Sequence, residues 1–402
     1  MTPTASATAS LSRTRIVQLD ALRGVAVIGI AWMNVYAFSL PLQAYYNPAV
    51  YGMDSPVDRW VWLFSFLFIE DKFRTLFALL FGAGCLILFE KDRVNPWRAH
   101  SARMAVLFAI GLVHSIAFAS NDVLRGYAMA GMALPLLRFL SPNALYAVAI
   151  GLVTLHFGLG LVVFGTSILD FYQGRMGSDA SLFAERNFGS DLAALRYTLG
   201  LGEEGLAERI ARRSLSIPSQ LTALASSLPL NLAAMALGMG LWRQRMLAAE
   251  WRTFRLQRLA GLCALIAIPA LLAIEWWVSG AGFPGALAGA AALVVSAPFD
   301  TLLGLAYAFL LMALFDPRSR TTQLLAAAGR LSLTNYVVTS VIFAGIFASW
   351  GLGLFGAVSR AQAFAISFLP IAGMLAWSPF WLSRFGQGPL ERLWRRSAQA
   401  LS

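Results

Sequence analysis

The stretch ALYAVAIGLVTLHFGLGLVVFGT, residues 144–166, contains no Asp, Glu, Lys or Arg, and His156 is its only histidine. About 20 apolar residues are enough for a helix to cross the hydrocarbon core of a bilayer, so this stretch predicts a transmembrane helix. Of the 402 residues, 58% are hydrophobic and only 13% are charged, whereas a soluble domain carries about 25% charged residues. The composition therefore excludes a soluble fold and indicates an all-α helical bundle that crosses a membrane many times.

Apolar segments of spanning length recur along the chain. We expect ten transmembrane helices, and they cover residues 18–40, 70–89, 103–119, 123–140, 144–166, 218–242, 257–279, 284–314, 329–350 and 361–383. The apolar segment 57–69 is short, and it would either extend the second span or lie in the membrane interface. The segment 284–314 is long for one helix, and Pro298 is expected to break it.

Arginine and lysine residues concentrate in alternate loops, which sets the expected orientation. With a cytoplasmic N-terminus, the inner segments carry 19 basic residues and the outer segments carry nine, six of them in the long loop 167–216. We therefore expect both termini in the cytoplasm. Most of the net charge of +11 belongs to these loops, so no nucleic-acid partner is expected.

The segments outside the spans divide the chain into four parts. Residues 1–15 lack the pattern of a signal peptide and are expected to be a disordered cytoplasmic tail. The loop 167–216 separates a transmembrane half at 16–166 from a second half at 217–402. Its stretch EEGLAERIARR has helical spacing, and it would either cap an outer cavity or be a solvated loop. The spacing of the two cysteines and three histidines predicts neither a metal nor a permanently bound cofactor.

Ionisable residues inside a membrane are costly and mark candidate functional sites. In the outer half of the bundle, we expect Asn34, His114 and Asp122 to approach one another. The charged residues that begin the second span would join them there: Glu70, Asp71, Lys72 and Arg74. A histidine beside a carboxylate can act as a general base near neutral pH. The alternatives are a histidine that serves packing and an ion-pair network that serves structure.

A second polar set is expected in the inner half. Asp20 and Arg23 lie three residues apart, so they share a helical face and can pair. Arg330 begins the ninth span and Asn335 follows it, while Asp300 would reach a similar depth if its span is unbroken. Because arginine suits phosphate groups, this set predicts a cavity for an anionic cytoplasmic donor. The alternative is a set of salt bridges between helices.

Several short motifs resemble one family in their order and spacing. They are LDALRG at 19–24, KFRTLFALLFGAG at 72–84, the run that ends at His114, DVLRGYAMAG at 122–131, GRLSLTNYVVTS at 329–340 and SRFGQGPLERLWR at 383–395. Together they resemble the YeiB family of bacterial membrane proteins, including its C-terminal domain of unknown function. The resemblance covers nearly the whole chain, and it implies a protein of the bacterial inner membrane.

The N-terminal half of that family is similar to transmembrane acyltransferases of the glucosaminide and surface-polysaccharide types. Those enzymes have about ten or eleven spans, and they pass an acyl group from cytoplasmic acyl-CoA to an acceptor across the membrane. Asp20 and Arg23 match their first-span signature, Asn34 matches an asparagine of the glucosaminide type, and Arg125 lies in a later shared motif. The resemblance thus implies acyl transfer with acyl-CoA as co-substrate.

One departure separates this chain from those enzymes. The polysaccharide type has its catalytic histidine where this chain has Met33 and Asn34, and the glucosaminide type has one in the following loop, which here is SLPLQAYYNP without a histidine. Either His114 substitutes for it, or the chemistry is different or absent.

Three functions are therefore compared. In an acyltransferase, Arg23 and Arg330 would hold the donor's phosphates, His114 oriented by Asp122 would activate a sugar or lipid acceptor, and Asn34 would stabilise the oxyanion. In a transporter or flippase, the two polar layers would line a pathway. In a non-catalytic membrane partner, the loop 167–216 would be the interaction surface.

Overall fold

The computed structural model describes residues 16–91 and 95–402. Of Lys91, only the backbone is described. The predicted tail at 1–15 thus lies outside the described residues. Within these ranges every regular element is a helix. The α-helices are α1 (Val17–Ser39), α2 (Leu42–Tyr46), α3 (Pro56–Phe68), α4 (Lys72–Lys91), α5 (Pro96–Ala117), α6 (Val123–Gly131), α7 (Leu134–Leu137), α8 (Pro142–Tyr172), α9 (Asp179–Phe188), α10 (Leu192–Gly200), α11 (Leu206–Leu215), α12 (Ile217–Arg243), α13 (Thr253–Gly280), α14 (Gly285–Ala290), α15 (Ala297–Leu314), α16 (Arg320–Arg330), α17 (Ser332–Phe347), α18 (Arg360–Phe385) and α19 (Pro389–Leu401).

The predicted all-α membrane bundle is confirmed. Among the described residues, eight helices are long and apolar enough to cross a membrane, and one of these combines α3 and α4. The helices α16 and α17 make a ninth span if they are counted together, although they meet at an angle of 79°. The sharp bend lies at Leu331, between the two helices.

The predicted single helix at 123–140 is wrong. This segment divides into the nine-residue α6 and the four-residue α7, and at 1.5 Å per residue α6 is only about 14 Å long. Pro135 lies at the start of α7, where its missing N–H and fixed φ are tolerated at the beginning of a helix but not inside one. The spanning helices described here therefore number eight or nine rather than ten.

The expected break in the segment 284–314 is confirmed. Its first part, α14, continues into a π-helical turn at Ala291–Val295, and α15 begins directly after it with Pro298 in its first turn. The short apolar segment 57–69 extends the second span, since α3 and α4 together form the span Pro56–Glu90. Their junction contains Asp71 at a φ of 57°, which interrupts the helix.

Two glycine contacts hold the centre of the bundle together. Gly24 of α1 meets Gly329 of α16, where an added Cβ on Gly329 would lie 1.9 Å from the Asp20 carbonyl oxygen. Gly82 of α4 meets α12 in the same way, since a Cβ added to Gly82 would lie 2.2 Å from the Met235 carbonyl oxygen. Small residues let helix backbones approach closely and gain packing contacts where lipid offers no hydrophobic driving force.

The loop 167–216 folds over one end of the bundle, here called the outer face because the sequence predicts it to be extracytoplasmic. Its residues form α9, α10 and α11, and the predicted helix at 203–213 is confirmed as α11. The Gln43 and Asn47 side chains donate hydrogen bonds of 3.1 and 2.8 Å to the carbonyls of Arg186 and Phe188. This part of the chain is therefore packed on the bundle rather than extended into solvent.

Candidate functional site at the outer face

The turn between α5 and α6 places a histidine against an aspartate. His114 lies in the last turn of α5, and Asp122 is the N-cap of α6, where its Oδ2 accepts a 2.9 Å hydrogen bond from the Arg125 backbone N–H. An aspartate is favoured at this position because its oxygen satisfies a free N–H of the first turn. The same carboxylate therefore caps one helix and faces the end of another.

His114 and Asp122 form a buried dyad. His114 Nδ1 lies 2.8 Å from Asp122 Oδ1, and the two side chains are only 2% and 0% exposed. The other ring nitrogen, Nε2, is buried and has no hydrogen-bond partner among the described residues. A proton on Nδ1 directed at the carboxylate leaves a lone pair on Nε2, which is the state that a general base requires.

Tyr336 of α17 adds a third member. Its hydroxyl donates to Asp122 Oδ1 at 3.3 Å and accepts from the Val123 N–H at 3.3 Å, and its ring centre lies 5.0 Å from that of His114. The sequence analysis grouped the GRLSLTNY motif with the inner set. The bend between α16 and α17 changes this, because it directs α17 toward the outer dyad.

Arg125 encloses the carboxylate from the other side. Its side chain is fully buried, and its Nε lies 3.7 Å from Asp122 Oδ2. Its Nη1 donates to Gln220 Oε1 and its Nη2 to the Ser120 carbonyl, both at 2.9 Å. Arg125 therefore compensates the charge of Asp122 and connects the dyad to the start of α12.

Asn34 occupies the same end of the bundle without a hydrogen bond to the dyad. Its side chain is buried, and its Oδ1 has no partner among the described residues. The next residues of α1, Val35 and Tyr36, pack in one apolar cluster with Ala119 and Phe343, which lie beyond His114 and on α17. The structure thus brings Asn34 to the level of the dyad, with an amide oxygen that nothing else uses.

The charged residues at 70–74 form a separate network. Lys72 Nζ lies 2.6 Å from Asp300 Oδ1, and both side chains are at most 4% exposed. Arg74 Nε donates to Asp71 Oδ1 at 2.8 Å, while the half-buried Glu70 lies in the electrostatic field of Lys72. These contacts match the structural ion-pair network that the sequence analysis considered as an alternative.

Arg360 directly precedes the predicted span 361–383, and its charge acts on Glu70 of this network. It is fully buried in the first turn of α18, its guanidinium lies 4.7 Å from the centre of the Tyr36 ring, and its Nη2 donates to the Ala44 carbonyl. Its Nε and Nη1 have no hydrogen-bond partner among the described residues. Arg360 lies at the boundary of a span, and nothing in the sequence distinguishes it from an exposed arginine at such a boundary.

The inner set is only partly brought together. Arg23 Nη1 and Asp20 Oδ1 form the expected ion pair at 3.1 Å, and the contact between Gly24 and Gly329 places Arg330 at the same level. Arg330 Nη2 donates to the Gly386 carbonyl at 3.0 Å. Arg23 and Arg330 therefore remain the candidates for binding phosphate groups.

The expectation that Asp300 belongs to the inner set is corrected. Asp300 pairs with Lys72 at the first residue of α4, whereas Arg23 lies beside Gly84, twelve residues further along that helix. Twelve residues correspond to about 18 Å. The break before α15 removes the unbroken helix on which the expected depth of Asp300 depended.

Asn335 is fully used inside the fold. Its Nδ2 donates to the Ala328 carbonyl and to Ser378 Oγ, and its Oδ1 accepts from Trp377 Nε1 at 2.9 Å. These bonds hold the bend between α16 and α17. The start of α17 is capped by Glu391 of α19, whose Oε1 accepts from the Leu333 backbone N–H at 2.9 Å, a role that the sequence analysis missed.

The interior between the two polar levels is packed, since residues 26–31 of α1 are all buried. Two small cavities in the bundle have volumes of about 10 and 20 Å³, and they are lined by Cys85 and His100 in one case and by Trp62 and Glu275 in the other. A water molecule needs about 10–15 Å³, so each holds about one water. In the described part of the chain no group of three or more His, Cys, Asp or Glu residues is placed to hold a metal ion.

Comparisons with known proteins extend over most of the chain. Residues 241–400 match the family described as a protein of unknown function (DUF418). The uncharacterized protein YeiB of Escherichia coli K12 is 32% identical over 95% of this chain and 96% of its own length. The uncharacterized protein YxaH of Bacillus subtilis 168 is 28% identical over 98% of this chain and 96% of its own length. No solved structure matches.

Proposed function

The chain belongs to the YeiB family of bacterial membrane proteins, and from this premise we propose that it is a membrane acyltransferase of the bacterial inner membrane. Acyl-CoA is the proposed donor, and a sugar or a lipid-linked molecule on the outer side is the proposed acceptor. The single observation that carries the proposal is the buried dyad of His114 and Asp122, with an unused Nε2.

His114 is the proposed general base. Its Nε2 removes the proton from the acceptor hydroxyl or amine as that group attacks the thioester carbonyl. The C–S bond then breaks, and the proton passes from the imidazolium to the departing thiolate. Asp122 holds the ring and stabilises its positive charge, in the manner of the aspartate in hydrolase triads.

The neighbours of the dyad support this assignment. Tyr336 and Arg125 contact Asp122 and keep its carboxylate directed at His114. Asn34 is buried at the level of the dyad, and its Nδ2–H group is the proposed donor to the oxyanion that forms during attack. Arg23 and Arg330 are proposed to bind the phosphates of the donor at the opposite end.

The packed interior adds one condition. Arg23 and Asn34 are eleven residues apart on α1, which corresponds to about 16 Å. The two small cavities do not connect these levels. The proposal therefore includes a conformational change that opens a path for the acyl group between the donor site and the dyad.

The experiment compares His114→Ala with His156→Ala in purified, detergent-solubilised protein. His156 is the matched control, because its ring nitrogens lie 3.2 and 2.8 Å from the backbone carbonyls of Ser226 and Leu293 and it has no carboxylate beside it in the described part of the chain. Acetyl-CoA binding is measured by thermal shift, and turnover by release of free thiol in the presence of a membrane extract. We expect His114→Ala to keep the thermal shift and lose thiol release, while His156→Ala keeps both.

Two results would overturn the proposal. One is the absence of a thermal shift with acetyl-CoA and with longer acyl-CoAs in the unmodified protein. The other is unchanged thiol release by the folded His114→Ala variant.

A further inference from the structure

The helix α11 packs against α5, the helix that carries His114. Arg213 Nη1 approaches the carbonyl of Ser115, the neighbour of His114, at 3.5 Å. Gln220 joins the same residues from below, since its Nε2 donates to the Arg213 carbonyl at 3.0 Å and its Oε1 accepts from Arg125 Nη1 at 2.9 Å. Whatever α11 binds is therefore held next to the proposed general base.

Three arginines of α11 differ in their partners. Arg212 is neutralised by Glu204, with Nε–Oε1 and Nη2–Oε2 distances of 2.5 and 2.7 Å. Arg209 and Arg213, four residues apart on one helical face, form no ion pair with any residue in the described ranges. Arg209 is only 8% exposed, and its Nε has no hydrogen-bond partner there.

The electrostatic environment of this pair is unfavourable as it stands. Burial, followed by the neighbouring charges of Arg209 and Arg212, lowers the pKa of Arg213 to about 9. Burial likewise lowers the pKa of Arg209. Glu204 is the carboxylate that acts on both, and it already binds Arg212. A buried cation without a counterion is costly, so this surface lacks an anion.

We propose that Arg209 and Arg213 bind a phosphate group of the acceptor at the entrance to His114. The phosphate site itself follows from the arginine pair. That the phosphate belongs to the acceptor rests on the proposed function. Two guanidinium groups one helical turn apart can grip the oxygens of one phosphate through paired N–H donors. Bound in this way, a phosphorylated molecule presents its nearby hydroxyl or amine to the dyad.

Two kinds of molecule carry such a phosphate group, a lipid with a phosphate headgroup and a soluble phosphate ester. Thermal unfolding of the full chain is measured with inorganic phosphate in detergent, against sodium chloride of equal ionic strength. The same measurement is made in phosphatidylcholine nanodiscs with and without phosphatidic acid. A shift with inorganic phosphate supports a site open to soluble esters, and a shift with phosphatidic acid alone supports a headgroup site.

The variants are Arg209→Gln and Arg213→Gln, singly and together, and the matched control is Arg196→Gln. Arg196 is an exposed arginine of α10 in the same loop region, so its loss changes the net charge equally. We expect the site variants to weaken phosphate binding about tenfold or more, equivalent to one charge-assisted hydrogen bond, and the control to bind as the unmodified protein does. If the double variant does not fold, the single variants carry the comparison.

The phosphate site is overturned if sodium chloride reproduces every shift, or if folded site variants bind phosphate as well as Arg196→Gln does. His114→Ala separates this result from the proposed function, because it is expected to retain the phosphate shift while losing thiol release. A phosphate shift in protein that never binds acyl-CoA would therefore refute acyl transfer and leave the phosphate site standing.

Discussion

Gly111 offers the sharpest test of how the dyad is held. It lies one turn before His114 on α5, and a Cβ added to it would lie 2.6 Å from Asp122 Oδ2 and 2.9 Å from the Arg125 backbone nitrogen. Ordinary contact begins at 3.4 Å. In Gly111→Ala, the start of α6 must therefore move away from α5 by about 0.8 Å at its closest point.

The size of the effect follows from the bonds that this movement breaks. If the start of α6 moves as a unit, the 2.8 Å contact between Asp122 and His114 lengthens beyond hydrogen-bond distance, and if the Asp122 side chain moves alone, its 2.9 Å cap with Arg125 is lost as well. Loss of the N-cap costs about 1 kcal/mol, and overpacking costs about 1–3 kcal/mol. The helix propensity of alanine returns up to about 1 kcal/mol, so we expect a net destabilisation of about 1–3 kcal/mol.

The matched control is Gly158→Ala in α8, where nothing lies within 4 Å of the added Cβ. Propensity alone then acts, and we expect a change between zero and about 1 kcal/mol in the stabilising direction. The assay is denaturant unfolding in detergent for both variants, together with thiol release for Gly111→Ala. Equal stabilities of the two variants, or full turnover by Gly111→Ala, would refute the described contact between α5 and Asp122.

Two further predictions concern charges away from the dyad. Lys72→Met leaves Asp300 as an uncompensated buried charge, so we expect the free energy of unfolding to fall by about 3–5 kcal/mol, and the double variant Lys72→Met with Asp300→Leu to recover most of this loss. A double-mutant cycle in detergent measures both effects. A double variant as unstable as Lys72→Met contradicts the prediction. Burial raises the pKa of Glu391 above its ordinary value of 4.5, so the folded protein binds the proton of this carboxyl more tightly than the unfolded chain does. The resulting stabilisation is complete below pH 4.5, and it is lost as the pH rises through the raised pKa. The unfolding temperature should therefore fall less between acidic and neutral pH in Glu391→Gln than in the unmodified protein. If the unfolding temperatures of both proteins depend equally on pH, this role of Glu391 is excluded.

The outer site was predictable in part. Depth along a helix follows from residue number, so His114, Asn34 and Asp122 were expected at one level, and the pairing of Asp20 with Arg23 followed from their spacing. Asp300 was expected at the wrong level, and the contribution of Tyr336 to the outer site was not predicted. Their depth depends on a bend after α16 and a break before α15, and periodicity does not measure the angle between two helices.

The sequence alone determined that this protein is a membrane helical bundle of the YeiB family, because hydropathy and motif order are properties of the linear chain. The tertiary structure decided which polar groups are used up and which are left over. Lys72 pairs with Asp300 and Asn335 bonds three partners, whereas His114 Nε2 and Arg209 Nε have no hydrogen-bond partner among the described residues. The physical reason is that hydrogen-bond satisfaction depends on helix crossings and bends, which join residues far apart in the chain.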